Sequence, residues 1–156
     1  MSALFSSCGH YRYRLTRSFQ DGQGTLLYIG LNPSTADATH NDPTIRRCIN
    51  FAKSWGYNRL VVVNLFSFRA TLPSDLKTTQ EPNGPENNQH LLQEAQEASR
   101  ILVGWGVHGT FLGRDKEVLE LLRPFELSCL GRTKAGMPRH PLYIRADTLP
   151  QPYSLK

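Results

Sequence analysis

The chain has 156 residues, of which 39% are hydrophobic and 20% charged, with 12 glycines and 10 prolines. This composition excludes collagen-like, low-complexity and disordered chains, and the length predicts a single domain over residues 1–156. No apolar run reaches the roughly 18–20 residues that cross a bilayer, and the first residues contain no apolar leader, so we expect a cytoplasmic protein without a membrane partner. Three scattered cysteines do not supply a metal site, and we expect neither a metal nor a cofactor.

The net charge of +5 is distributed unevenly along the chain. Residues 1–74 carry a formal charge of +5, residues 75–126 carry −4 and residues 127–156 carry +4. If the fold brings the two outer thirds together, one face of the protein is cationic and suits a nucleic acid or a nucleotide. Solvated charges scattered over the surface are the alternative interpretation.

The predicted elements alternate between strands and helices. They are, in chain order, a hairpin of strands 11–19 and 25–31, a helix at 42–56, a strand at 60–65, a long loop at 70–86, a helix at 91–98, a strand at 100–105, a helix at 109–123 and a strand at 127–130. Asp42 followed by Pro43 is the favoured order for the start of a helix. The alternation predicts an α/β fold, namely a three-layer α/β/α sandwich with a short, mostly parallel sheet and an added N-terminal hairpin.

Polar residues follow three of the predicted strands, where ligands of such sheets bind. After the first, Gly30 permits close backbone approach and Asn32 presents a carboxamide that can orient a water or contact a substrate. An Asn–Pro turn in which Asn32 caps its own backbone is the alternative. Asn64 ends a buried strand, and it either ties down a loop or reads a ligand such as the edge of a pyrimidine.

The third polar motif contains His140, which lies between Pro138 and Pro141 and beside basic residues. Prolines restrict the backbone around this histidine, and a positioned histidine is the commonest acid–base or electrophilic group in enzymes. Of the five histidines it is the best catalytic candidate, and a structural or merely exposed histidine is the alternative.

Three motifs resemble active-site motifs of the uracil-DNA glycosylase superfamily. Residues 30–34 (GLNPS) resemble the first motif of its mismatch-specific branch, residues 62–65 (VVNL) its base-reading strand end, and residues 139–142 (RHPL) its His-Pro motif. The longer strings LNPSTAD at 31–37 and PRHPLY at 138–143 resemble more closely a bacterial and phage family of uncharacterised activity. The resemblance implies a glycosylase-like fold.

The resemblance also implies roles for single residues in removing a flipped base. Asn32 would position the attacking water, His140 would hydrogen-bond the departing base, and Asn64 would read the base edge. Asp37 would be a general base or a plain cap. The other candidates would bind substrate, with Arg139, Lys134 and Arg69 at phosphates, Phe66 or Tyr143 stacked on the base, and Gly30 allowing close backbone approach. Ser34, Arg46 and Arg47 depart from the superfamily's pattern and suggest a more polar pocket, which suits a phosphorylated nucleotide or a modified base.

The function expected on these grounds is hydrolysis of the N-glycosidic bond of a flipped or modified nucleobase. Two other classes stay open at this point. One is a non-catalytic domain that binds nucleic acid or a nucleotide, and the other is an enzyme that acts on free nucleotides.

Overall fold

The computed structural model describes residues 1–154, which form one seven-stranded sheet with helices on both faces. The strands are β1 (Ser2–Phe5), β2 (Arg12–Ser18), β3 (Thr25–Gly30), β4 (Arg59–Asn64), β5 (Arg100–Val103), β6 (Leu127–Cys129) and β7 (Gln151–Tyr153). The α-helices are α1 (Pro43–Ser54), α2 (Pro73–Thr78), α3 (Asn87–Glu97) and α4 (Arg114–Leu121), and 3-10 helices span Val107–Gly113 and Pro141–Tyr143.

The spatial order of the strands is β1-β2-β4-β3-β5-β6-β7. The four strands from β4 to β6 run parallel, whereas β1, β2 and β7 join antiparallel at the two edges. The sheet is therefore mixed, and the predicted α/β class is confirmed. The carboxyl ends of β3, β4 and β5 meet at one edge of the sheet, because these three strands are parallel neighbours.

The central strands are buried on both faces, as an unbroken apolar run predicts for a parallel sheet. On one face, Leu26 and Val62 belong to a cluster with Phe51 of α1. On the opposite face, Leu27 and Val63 belong to a cluster that includes residues of α3 and α4. Alternate residues of each strand thus serve two cores, because successive side chains of a strand point to opposite faces.

The start of α1 is confirmed. The Asp42 side chain accepts a hydrogen bond of 2.9 Å from the backbone N–H of Ile45, and Pro43 occupies the first turn. Asp42 is thus the N-cap, which satisfies one of the free N–H groups at the helix start. The chain leaves the helix through Gly56 at φ +87°, a conformation that glycine adopts without strain.

The predicted hairpin of strands 11–19 and 25–31 is wrong. Both strands exist, but β4 lies between β2 and β3, so the antiparallel partners of β2 are β1 and β4. The turn at residues 21–24 packs against the loop after α1, where a Cβ on Gly22 would lie 2.5 Å from the carbonyl oxygen of Gly56. The edge strands β1 and β7 are short and were not predicted.

Two further boundaries differ from the predictions. The loop at 70–86 contains α2, which begins at Pro73. The helix predicted from residue 109 begins at Arg114, because Leu112 (φ +56°) and Gly113 (φ +65°) interrupt helical geometry before it. Over residues 1–154, no helix combines the length and the apolar character needed to cross a membrane.

Candidate active site

A cavity of about 540 Å³ lies at the carboxyl ends of the parallel strands. Gly30 at the end of β3, Asn64 at the end of β4 and Trp105 just after β5 lie on its wall. Asn32 and His140 also line this cavity. The fold therefore brings the three polar motif residues to one place, at the position where open α/β sheets bind ligands. Its volume is typical of a small-molecule site.

Asn32 is held by its amide nitrogen. Nδ2 donates to the carbonyl oxygen of Ala70 at 2.8 Å and to that of Pro33 at 3.0 Å, with a longer contact of 3.5 Å to Phe68. Because carbonyl oxygens surround this nitrogen, the side-chain oxygen Oδ1 is the group left to accept a hydrogen bond from a ligand or a water. Asn32 thus both ties down its loop and offers an acceptor.

Asn64 presents a donor without a protein partner. The residue is 4% exposed, and its Nδ2 is buried without a hydrogen bond to any of residues 1–154. A buried amide in this state costs roughly 1–3 kcal/mol, and a ligand that accepts a hydrogen bond would recover that cost. The backbone carbonyl of Asn64 is fixed from behind by Nδ2 of Asn87, at 3.0 Å.

His140 is the N-cap of the 3-10 helix Pro141–Tyr143. Its Nδ1 accepts a hydrogen bond of 3.2 Å from the backbone N–H of Leu142. The neutral ring therefore carries its proton on Nε2, which is left as a donor. Burial lowers the pKa of His140 below 6.5, although the negative charge of Asp42 opposes this shift. The ring is thus kept neutral at physiological pH.

Arg12 and Asp42 are charged residues on the cavity wall that were not among the predicted site residues. Arg12 begins β2, and because β2 runs antiparallel to β4, it lies at the same end of the sheet as Asn64. The Asp42 carboxylate accepts from the backbone N–H groups of Ile45 and Ala36. The signal that could have identified Arg12 is its place at the start of β2, which brings its side chain to the carboxyl end of the antiparallel neighbour β4.

The other predicted residues divide into two groups. Gly30, Ser34 and Tyr143 line the cavity, and Tyr143 lies at its mouth with 76% of its surface exposed. The residues that the structure places outside the cavity wall are Asp37, Arg46, Arg47, Phe66, Arg69, Lys134 and Arg139.

Asp37 and Phe66 have local structural contacts instead. The Asp37 carboxylate accepts from the backbone N–H groups of Thr39 and His40, and these bonds lower its pKa to about 2. It therefore closes its own loop. Phe66 is 1% exposed and packs against Phe111 at a ring distance of 5.6 Å, in the core on the side of α3 and α4.

The basic residues of the outer thirds do not gather around the cavity. Arg69 donates to the carbonyl of Gly9 and lies 4.8 Å over the Phe5 ring, beside a shallow groove next to the cavity. Lys134 and Arg139 are exposed on and after the loop at 131–136. Among the described residues, Arg12 is the one lysine or arginine on the cavity wall.

Arg47 supports the turn that carries His140. Its Nε donates to the carbonyl oxygen of Pro141 at 3.2 Å, and its Nη2 donates to that of Ile144. We expect Arg47→Ala to lower the free energy of unfolding by about 1–3 kcal/mol, because two carbonyl groups lose their donor. Urea unfolding followed by circular dichroism measures this loss.

The neighbouring residue provides a matched control. Arg46 is exposed, and its Nη1 donates to the carbonyl of Asn41. Arg46→Ala should change the free energy of unfolding by less than about 0.5 kcal/mol. Equal losses in the two variants would contradict a supporting role for Arg47.

No curated protein and no solved structure matches the chain. Residues 12–142, which include every polar residue named on the cavity wall except Tyr143, match one family, described as "Protein of unknown function (DUF1643)". The chain belongs to this family.

Proposed function

We propose that the protein hydrolyses the N-glycosidic bond of a nucleobase compound bound in the cavity at the carboxyl ends of β3, β4 and β5. The observation that carries this proposal is the convergence of Asn32, Asn64 and His140 on one cavity wall. A fold resembling that of the uracil-DNA glycosylases is part of the same proposal. It is supported by the parallel central strands and by helices on both faces of the sheet.

The three groups supply complementary hydrogen bonds. Oδ1 of Asn32 is an acceptor that can hold a water, because the amide nitrogen is already bound to backbone carbonyls. Nδ2 of Asn64 is a buried donor that suits a carbonyl oxygen on the edge of a base. Nε2 of His140 is a donor that suits the negative charge developing on a departing base.

The reaction needs no covalent intermediate. The water oxygen bonds to the anomeric carbon of the sugar, and the carbon–nitrogen bond breaks with its electron pair on the base. The base leaves as an anion, which the hydrogen bond from neutral His140 stabilises. The proton lost by the water finally neutralises the base.

Release of free base tests the proposal directly. Purified protein is incubated with nucleosides, nucleoside monophosphates and single- and double-stranded oligonucleotides that contain uracil or modified pyrimidines, and free base is separated by chromatography. We expect release from at least one substrate class. The variant Asn64→Ala should raise KM about tenfold, because its side chain no longer donates a buried hydrogen bond to the base. A contaminating enzyme would not respond to this substitution. Absence of release from all substrates would refute hydrolysis.

A further inference from the structure

Among residues 1–154, three arginines are almost fully buried, and one of them lacks the partners that the other two have. Arg17 and Arg114 are 1% and 3% exposed, and every nitrogen of each guanidinium donates a hydrogen bond. Arg12 is 2% exposed, but among the described residues its side chain donates one hydrogen bond, from Nη1 to the carbonyl of Ala36 at 3.0 Å. Its Nε is buried without a partner.

Arg12, whose guanidinium lacks these hydrogen-bond partners, is also the buried arginine that lies on the cavity wall. Burial, the largest cause, lowers the pKa of Arg12 to about 10, so the side chain stays charged at neutral pH. Asp42 opposes this shift, but within residues 1–154 no carboxylate lies within ion-pair distance of Arg12. Both oxygens of Asp42 are occupied by backbone N–H groups. A buried cation without an ion-pair partner is costly, and a bound anion would remove that cost.

We infer that Arg12 forms an anion subsite inside the cavity and that the substrate is a free nucleotide whose phosphate binds there. The identity of the ligand as a nucleobase compound rests on the proposed function. The subsite itself rests on the buried position and missing partners of Arg12. A guanidinium suits a phosphate because its N–H groups form a fork that matches two phosphate oxygens.

The position of Arg12 favours a small ligand over a nucleic acid strand. Because the side chain is almost inaccessible from outside, a phosphate must enter the cavity to reach it. Two basic residues of the outer thirds are engaged with protein groups, namely Arg14 with Glu94 at 3.3 Å and Arg132 with the carbonyl of Ser154 at 2.7 Å. Lys134 and Arg139 are exposed and lie outside the cavity wall. Among the described residues, Arg12 is the one lysine or arginine on the cavity wall, so the wall itself offers no row of cations for a phosphate backbone.

Calorimetric titration of the wild-type protein tests the inference without any need for turnover. The probes are 2′-deoxyuridine, its 5′-monophosphate and a single-stranded oligonucleotide that contains deoxyuridine, all at one ionic strength. We expect the monophosphate to bind roughly 10- to 100-fold more tightly than the nucleoside, as a charge-assisted hydrogen bond predicts. Equal affinities for these two ligands would overturn the inference, as would tighter binding of the oligonucleotide than of the monophosphate.

A second measurement uses inorganic phosphate and a matched pair of variants. Arg12→Met removes the proposed subsite, whereas Arg100→Met removes the same charge near Tyr57 and Ser128, away from the cavity. Phosphate should raise the Tm of the wild type and of Arg100→Met more than chloride does at equal ionic strength. Arg12→Met should lose this difference. An unchanged response in Arg12→Met would overturn the inference, and if this variant does not fold, the wild-type titration decides.

The two proposals fail in different ways. Preferential binding of the monophosphate without release of base would refute hydrolysis and leave the anion subsite in place. Release of base together with equal affinity for nucleoside and monophosphate would refute the subsite and leave hydrolysis in place.

Discussion

Replacement of Asn32 by alanine is expected to lower kcat about 10²-fold or more and to leave KM within a few fold. In the native protein, Nδ2 is bound to the carbonyl oxygens of Ala70 and Pro33, which directs Oδ1 to act as an acceptor. Without that acceptor the water is no longer held at the anomeric carbon. The measurement is the steady-state rate of base release on the substrate that the screen identifies.

A loss of folding could imitate this result, so the folded fraction of each variant is measured by circular dichroism. Asn50→Ala is the matched control, because Asn50 is an exposed asparagine of α1 outside the cavity wall. It should retain the wild-type kcat. If Asn32→Ala kept the wild-type kcat, or raised KM alone, Asn32 would bind substrate or its loop without positioning the water.

The local signals in the sequence predicted the elements that surround the site. Asp42 and Pro43 mark the start of α1 because a cap and an N-terminal proline act through neighbouring residues. Asn32 and Asn64 were predicted at strand ends, and parallel pairing of β3 with β4 places those ends at one edge of the sheet. A strand-end rule therefore sufficed to select these two residues.

Pairing between distant segments could not be read in this way. In the sequence β3 follows β2 directly, but in the sheet β4 lies between them. No local pattern around residues 21–24 indicates this arrangement. The same omission concealed Arg12, since its place beside the cavity depends on antiparallel pairing of β2 with β4. The resemblance to known motifs did not indicate Arg12 either, because this residue lies outside all three motifs.

Predictions that relied on residue type alone assigned substrate binding to residues that lie outside the cavity wall. Phe66 follows β4 closely, as an aromatic base platform would, but its side chain enters the core beside Phe111. Arg47 belongs to a basic pair, and its guanidinium is engaged with backbone carbonyls of the turn after His140. Both cases show that a cationic or aromatic residue near a motif serves packing and capping as readily as it serves a ligand.

Replacement of His140 by alanine is expected to lower kcat about 10²- to 10³-fold, which is the usual effect of removing one donor that stabilises a developing anion. The donor is Nε2, because Nδ1 accepts the N–H of Leu142. His40→Ala is the control, since His40 is an exposed histidine bound to Asp37 outside the cavity wall. It should retain the wild-type rate of base release.

The pH dependence separates a neutral donor from a protonated one. Burial lowers the folded-state pKa of His140 below 6.5, so the ring stays neutral as the pH falls past that value. We expect kcat to remain constant through pH 6.5 and to decrease in more acidic solution, where protonation of Nδ1 breaks the bond to Leu142. A kcat that rises on acidification, with a pKa at or above 6.5, would show that the imidazolium is the active form.

The same shift affects stability in a direction that can be checked. The unfolded chain binds the His140 proton at the ordinary pKa of 6.5 and the folded chain binds it at a lower one, so the unfolded state holds more protons between the two values. The contribution of His140 to stability is therefore complete above pH 6.5 and is lost as the pH falls through that window. His140→Ala should remove this part of the pH dependence of urea unfolding, whereas His40→Ala should keep it.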